Sequence, residues 1–384
     1  MSRRTINLYK TEEHFGMQAF TYEALPARVV FGADTCHRIG DELARLDCCR
    51  ALVLTTAAQR QIGENVRSSL GEQCVGLFSE AAMHTPTDIT EAAVKVARDL
   101  GADSVVAVGG GSTIGLGKAI ALHTDLPQIV VPTTYAGSEA TPILGQTENG
   151  LKTTQRSLRV LPEVVIYDVD LTLMLPIGIS VTSGLNAIAH AVEALYARDA
   201  NPVISMLAEK GIAALVRALP AICAAPEDRE ARSDALFGAW ACGTCLGAVG
   251  MSLHHKLCHT LGGTFNLPHA ETHAVLLPHV IAYNRDYAPE ALAIVARVLG
   301  VSDPAAGMFD FAKRLGAPTQ LAALGMKESD IGEAVAIASR AAYWNPGPID
   351  ADRIDRLLRD AFSGKRPISQ PSVSKGGLST TNEA

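Results

Sequence analysis

Aromatic residues are scarce in this chain, at 5 % of positions, and positive charge is not in excess: 33 Lys and Arg stand against 40 Asp and Glu, a formal charge of -7. The first shortage argues against a β-sandwich, whose core leans on large rings, and fits α/β layers and helical packing built from Ala, Val, Leu and Gly. The second excludes a polyanionic partner, because phosphate backbones are held by clustered cations. No run of eighteen apolar residues and no apolar segment of secretory type is present, so the chain is expected in the cytoplasm, with neither membrane nor nucleic acid as partner. Eight cysteines, Cys36, Cys48, Cys49, Cys74, Cys223, Cys242, Cys245 and Cys258, are scattered without a second C-x-x-C to complete a zinc site. Reduced thiols follow, with Cys242 and Cys245 read as small buried residues on one helical face.

The 384 residues suit two domains, each large enough for its own apolar core. From Arg28 to about Asp170, β-rich runs (Ala27–Phe31, Ala51–Thr55, Val75–Phe78, Ser104–Val108, Gln128–Val131, Val164–Tyr167) alternate with helical patterns (Ala33–Leu46, Gln59–Leu70, Thr87–Leu100). That alternation predicts parallel strands joined by helical crossovers. Thr87 and Asp88, with Glu91, have the spacing of a capping box. Beyond Leu175-Pro176 strand-like runs nearly vanish and long Ala/Leu-rich helical stretches take over. The expected organisation is a polar extension over 1–16, a dinucleotide-binding α/β domain over 17–172, an all-helical catalytic domain over 173–364 and a disordered Ser/Pro/Gly-rich tail over 365–384.

In Ser104-Val-Val-Ala-Val-Gly-Gly-Gly-Ser-Thr-Ile-Gly-Leu-Gly-Lys118 an apolar strand runs into three glycines, a serine and a helical stretch. Glycines let a backbone approach a pyrophosphate, and the helix start offers unpaired N–H groups and a favourable dipole. Neither G-x-G-x-x-G nor the Walker pattern fits. A second small, hydroxylated turn, Pro132-Thr-Thr-Tyr-Ala-Gly-Ser-Glu139, follows the next strand. Ligands collect at such strand ends in open parallel sheets, and two adjacent turns suit a dinucleotide. The strand from Ala51 runs into Thr55-Thr-Ala-Ala-Gln-Arg60, with no acid to bind a ribose 2′-hydroxyl; NADH is expected to work and NADPH to be tolerated.

Five of the eleven histidines fall between His254 and His273. His255 and His259 are four apart on one helical face, and His269 follows on a Pro-bearing loop. An earlier helix carries Asn186 and His190, again four apart, with Glu193 one turn on. Imidazoles at helical spacing on two segments suit a metal site or an acid/base site, metal slightly ahead on residue types alone. Isolated His123 and His279 read as core histidines.

Gly109 to Lys118, Pro132 to Glu139, Asn186 to His190 and His255 to His269 resemble, in order and spacing, the iron-containing alcohol dehydrogenases, over roughly Pro26 to Pro348. The resemblance implies a dinucleotide-binding domain followed by an all-helical domain, as in dehydroquinate synthases, with the active site in the cleft between them. It places the family's metal ligands on Asn186, His190, His255 and His269. The family's Asp is replaced by Asn186, which removes a charge-compensating donor, so the expectation is that metal is not required; if one binds, His190, His255 and His269 hold it. Gly115 also replaces a common Asp in the glycine turn. Both departures, with Pro26-Ala-Arg-Val-Val-Phe-Gly32 and Thr134-Tyr-Ala-Gly-Ser-Glu-Ala-Thr-Pro-Ile143, resemble the maleylacetate reductase branch. The implied reaction is NAD(P)H-dependent reduction of a conjugated double bond to give 3-oxoadipate during breakdown of aromatic rings.

Family matching further implies that Gly110, Gly111 and Ser112 bind the pyrophosphate, that Thr133, Thr134 and Ser138 line the nicotinamide, that Lys152 lies near its ribose, and that Thr55 borders the cofactor. Hydride addition to an alkene conjugated to a ketone makes an enolate, which imidazoles can stabilise and protonate. His255 and His190 are the expected donors, with His259 in support and His269 closing the pocket. Tyr135, Asn186 and Lys256 are the expected substrate contacts; Arg156 and Arg159 are further cations for a small dicarboxylate. A homodimer is the family habit. The rival readings are a metal-dependent alcohol or polyol dehydrogenase and a dehydroquinate synthase-like lyase.

Overall fold

Four runs of consecutive buried apolar residues, ALVL, SVVAVG, QIVVP and VVIYD, become neighbouring parallel strands covered on both faces. The computed structural model describes residues 20–25, 27–148, 151–340 and 343–367, without the side chains at 148, 151 and 152. The expected extension over 1–16, most of the expected tail and the Lys152 side chain therefore lie outside the described residues. The strands are β1 (Arg28–Gly32), β2 (Ala51–Leu54), β3 (Cys74–Phe78), β4 (Ser104–Gly109), β5 (Gln128–Pro132), β6 (Ile143–Glu148), β7 (Leu151–Arg156) and β8 (Val164–Asp168). The main sheet has six strands in the order β1-β8-β5-β4-β2-β3. All its pairings are parallel, and Gly109 at the end of β4 lies opposite Pro132 at the end of β5. The two ligand-type turns thus leave the same sheet edge side by side.

Helices α1 (Ile39–Arg45), α2 (Arg60–Leu70), α3 (Thr87–Asp99) and α4 (Gly111–Thr124) make the crossovers. Nine helices follow: α5 (Ile177–Leu195), α6 (Pro202–Ala224), α7 (Arg229–Ala248), α8 (Leu253–Phe265), α9 (His269–Asn284), α10 (Pro289–Leu299), α11 (Pro304–Arg314), α12 (Ile331–Arg340) and α13 (Ala351–Ser363). No strand follows Asp168 among the described residues. α5 is buried on every side from Ser180 to Leu195, which is why its run of Ala, Ile, Leu and Val shows no polar face. Cys242 and Cys245 are indeed buried on α7.

Four expectations need correction. The antiparallel hairpin β6–β7 went unforeseen, because ILGQTE and LKTTQR carry only one β-branched apolar residue between them. Thr87 is already inside α3; Pro86 is the N-cap, and the Thr90 hydroxyl donates back to its carbonyl. His123 is exposed near the end of α4, whereas His279 is a core histidine edge-on to Phe309. The stretch Pro289–Arg314 is long and apolar enough to cross a membrane by composition; it divides into α10 and α11 at left-handed Gly300, and Leu292, Val295, Met308 and Phe311 from both enter the helical core.

The domains meet at a backbone-to-backbone contact. A Cβ on Gly243 of α7 would stand 2.2 Å from the Gly137 carbonyl oxygen, and Gly137 itself has φ +80. Gly243→Ala must part the seam, with an expected loss of about 1–3 kcal/mol as for other overpacked sites. Urea unfolding checks this, and an unchanged midpoint would show that the seam yields freely.

Candidate active site

The glycine turn has the form the sequence predicts. Gly110 is the extended N-cap of α4 and makes no side-chain cap, so the first N–H groups of the helix are left for a ligand. Gly111 is exposed, with nothing within 4 Å of a would-be Cβ. At Gly109 and Gly110 a Cβ would strike Thr113 and Thr134 at 2.4 and 2.9 Å. Gly115 has its own reason: a Cβ there would lie 2.3 Å from the hydroxyl of Thr85, itself in a left-handed conformation. The backbone approach, the uncapped helix and the neighbouring turn fit a dinucleotide pyrophosphate.

The turn after β5 is held from α4 by Lys118, whose buried ammonium donates to the carbonyls of Ser138, Thr141 and Ile143 and to the Thr141 hydroxyl. Burial pushes Lys118 down to about 7, with nearby Glu139 acting in the opposite sense. Burial likewise pushes Glu139 up to about 7, and its carboxyl accepts from the Tyr167 hydroxyl. Thr134 and Ser138 are half-buried, whereas Thr133 is buried and its hydroxyl accepts from Gln59 Nε2 at 2.8 Å. Two further expectations change. Tyr135 is fully buried and its hydroxyl accepts from Arg232, so it offers a substrate nothing. Thr55 is fully buried against Gly63 of α2, so it borders the core rather than a cofactor.

Beyond the turn, α5, α8 and α9 bring the histidines together. His190 Nε2 meets the Ala136 carbonyl at 3.2 Å, and His190 Nδ1 meets His255 Nε2 at 2.8 Å. His255 Nδ1 meets the Glu193 carboxylate at 2.6 Å. A carbonyl can only accept, so His190 Nε2 carries hydrogen and its Nδ1 is the acceptor; His255 Nε2 must then donate. His255 Nδ1 in turn donates to the Glu193 carboxylate. Burial raises the Glu193 pKa, but the His255 bond and charge outweigh it and leave Glu193 below the usual carboxylate range. His190 is held well below its ordinary value, first by burial and then by the neighbouring imidazoles.

A second pair lies beneath the first: His254 Nε2 and His273 Nδ1 are 2.9 Å apart, and the His273 ring is within 4.5 to 5.8 Å of those of His269, His254, His255 and His190. His259 is exposed and His269 half-buried, with rings stacked at 6.5 Å, so these two line the mouth. Asn186 is buried and its Oδ1 is unpaired. Lys256 is half-buried on α8. Arg156 donates to the Gly247 carbonyl and Arg159 pairs with Asp125, so both are committed elsewhere. Glu193 had been visible as an acid one turn beyond His190. His273 and the buried Arg232 gave no signal apart from their polarity among small apolar neighbours.

The four positions that hold metal in the family are not arranged here as a tetrahedral zinc site. Two imidazole nitrogens on a tetrahedral zinc at about 2.05 Å lie roughly 3.3 Å apart, whereas His190 and His255 share a hydrogen bond at 2.8 Å. Both nitrogens of His190 are used, and Asn186 brings no charge. The same objection applies to His254, Cys258 and His273, whose possible ligand atoms cluster within 4.8 Å but whose two imidazoles are bonded to each other.

Three buried histidines, His190, His254 and His273, are held below their ordinary pKa chiefly by burial, His254 down to about 3. The unfolded chain protonates them near pH 6.5 and the folded one does not, so stability is lost as pH falls below that value. Each contributes a slope of up to about 1.4 kcal/mol per pH unit. Urea midpoints should therefore fall steeply between pH 6.5 and 4.5; a flat profile would mean the cluster takes up protons in the folded state.

Two family models cover most of the chain: "Iron-containing alcohol dehydrogenase" over residues 26–169 and "Fe-containing alcohol dehydrogenase family, C-terminal" over 180–362. The chain is 58% identical over 351 residues to the maleylacetate reductase of Rhizobium sp. (strain MTP-10005), covering 91% of this chain and 100% of that one. It is 54% identical to the maleylacetate reductase of Sphingobium indicum over 350 residues, 91% and 99% of the two chains. It is also similar to the crystal structure of maleylacetate reductase from Agrobacterium tumefaciens, with TM-score 0.89, 60% identity and coverage of 91% and 100%.

Proposed function

The chain belongs to the iron-containing alcohol dehydrogenase family, and from that premise we propose that it reduces the conjugated carbon–carbon double bond of maleylacetate with NADH or NADPH, giving 3-oxoadipate. The observation that supports the reading is the Glu193–His255–His190 hydrogen-bond chain, which runs through two of the positions that hold metal elsewhere in the family. High identity to maleylacetate reductases over nearly their whole length supports it.

Gly110, Gly111 and Ser112 hold the pyrophosphate at the start of α4, and the half-buried Thr134 and Ser138 face the nicotinamide end. The reduced nicotinamide, when bound, supplies the hydride. The carbon β to the substrate ketone accepts it, and the electron pair of the double bond moves toward the ketone oxygen. The histidine cluster supplies the hydrogen-bond donors that the enolate oxygen needs, and Glu193 orients the His255 ring through its Nδ1. His190 and His255 spend all four ring nitrogens on each other, Glu193 and Ala136, so either must give up one of these bonds to act as the direct donor expected earlier. His259 and His269, at the mouth, are the imidazoles a substrate meets first, and one proton delivered to the carbon α to the ketone completes the reaction.

The reaction as drawn needs no metal. Rates of NADH oxidation with maleylacetate, in protein dialysed against chelator and then given zinc or iron, should be equal. Activity that returns only with metal would overturn the metal-free route, and turnover of simple alcohols in its place would overturn the substrate. Arg60, exposed at the start of α2 and near Ser79, pairs only at the surface with Glu64, and a 2′-phosphate would compete for it. Arg60→Ala should raise the KM for NADPH about fivefold or more with little change for NADH; equal shifts for both would remove Arg60 from the cofactor site.

A homodimer in the cytoplasm, acting late in the breakdown of aromatic rings, completes the proposal. β1 is an edge strand with Phe31 39% exposed, and Phe20 and Tyr22 are exposed just before it, an apolar edge suited to a second copy.

A further inference from the structure

Arg232, on α7, is fully buried, yet no carboxylate meets it among its hydrogen bonds. Its Nε donates to the Pro226 carbonyl at 2.8 Å and its Nη2 to the Leu175 carbonyl at 3.0 Å. Its Nη1 donates to the Tyr135 hydroxyl at 3.0 Å and the Ser180 hydroxyl at 2.8 Å. A buried cation with only neutral acceptors is costly, and an apolar side chain of similar volume packs at lower cost. What the guanidinium offers instead is a rigid fork that fixes several acceptors at once. The four acceptors lie on four segments that meet at the domain seam: the loop before α7, the linker after β8, the first turns of α5, and the turn after β5.

That turn is pinned residue by residue to the helical domain. Tyr135 N donates to Ser183 of α5 at 3.3 Å, the Ala136 carbonyl accepts from His190 of the same helix, and Gly137 lies against Gly243 of α7. Arg232 and His190 therefore hold successive residues, Tyr135 and Ala136. A shift at the first is passed by one peptide to the second.

We propose that Arg232 is a positioning residue: through Tyr135 it sets the distance between the nicotinamide turn and the His190–His255 pair, and so the alignment of hydride donor with that pair. The proposal rests on the functional reading above, in which the turn carries the nicotinamide. The full chain is tested as wild type, Arg232→Lys, Arg232→Met, Tyr135→Phe and the double variant Arg232→Lys/Tyr135→Phe. The readouts are kcat, both KM values, thermal midpoint and the isotope effect with NADH deuterated at the transferred position.

Misplacing reacting groups by about an ångström costs on the order of 100-fold in rate. The Arg232 variants should lose about 10- to 100-fold in kcat with KM for NADH changed less than about threefold. The isotope effect should rise as hydride transfer becomes limiting. Tyr135→Phe should lose several-fold in kcat at a near-normal thermal midpoint, and the double variant should be no slower than Arg232→Lys alone. Lowered thermal midpoints with kcat and isotope effect unchanged would overturn the proposal. If the Arg232 variants fail to fold, Tyr135→Phe decides alone: wild-type kcat and isotope effect overturn the role. Wild-type protein inactive on maleylacetate but active on an alcohol would defeat the functional reading instead, and the same variants measured on that alcohol would still decide the role of Arg232.

Discussion

The Glu193 carboxylate, fully buried on α5, accepts from the backbone N–H groups of Ser252, His254 and His255 and from His255 Nδ1. Ser252 makes no side-chain cap of its own, so an acid from another helix satisfies the start of α8, where the dipole favours negative charge. This contact fixes the rotation of α8 about its axis. Because His254 and His255 are consecutive, that rotation sends them to different neighbours, His254 to His273 and His255 to His190. Without Glu193 the cluster would not have its orientation.

Charge balance explains why Asn186 and the histidine chain belong together. One buried carboxylate can offset one positive charge, and here Glu193 is already bonded to His255. A divalent ion in the same space would leave a full charge uncompensated, since Asn186, where relatives with metal carry an acid, supplies none. The exchange suits the chemistry as well. A donating imidazole and a metal ion both stabilise an oxyanion, but an enolate must also take up a proton, and an imidazole network carries protons while a metal ion does not.

The strands, the glycine turn and the helical second half were legible because each rests on a local pattern: buried runs, a breaker at a strand end, Ala-rich periodicity. Asn186, His190, His255 and His269 were legible through spacing and resemblance. The bonding within the cluster was not. Which nitrogen faces which neighbour depends on how α5, α8 and α9 pack, and no sequence spacing encodes it. Tyr135 misled for a related reason. A tyrosine in a ligand turn reads as a contact until its hydroxyl is found bonded to an arginine almost a hundred residues away, and the hairpin after that turn was hidden by its polar residues.

The turn from Thr133 to Ser138 is held by two buried cations, Lys118 from the sheet side and Arg232 from the helical side, both bonded mainly to neutral oxygens. In a chain of net charge -7 this local arrangement opposes the overall sign. Fields from buried charges are screened little by solvent, and the buried Glu139 beside Lys118 offsets part of the positive charge on the sheet side. The exposed cations are spent on surface pairs such as Arg159 with Asp125 and Arg60 with Glu64.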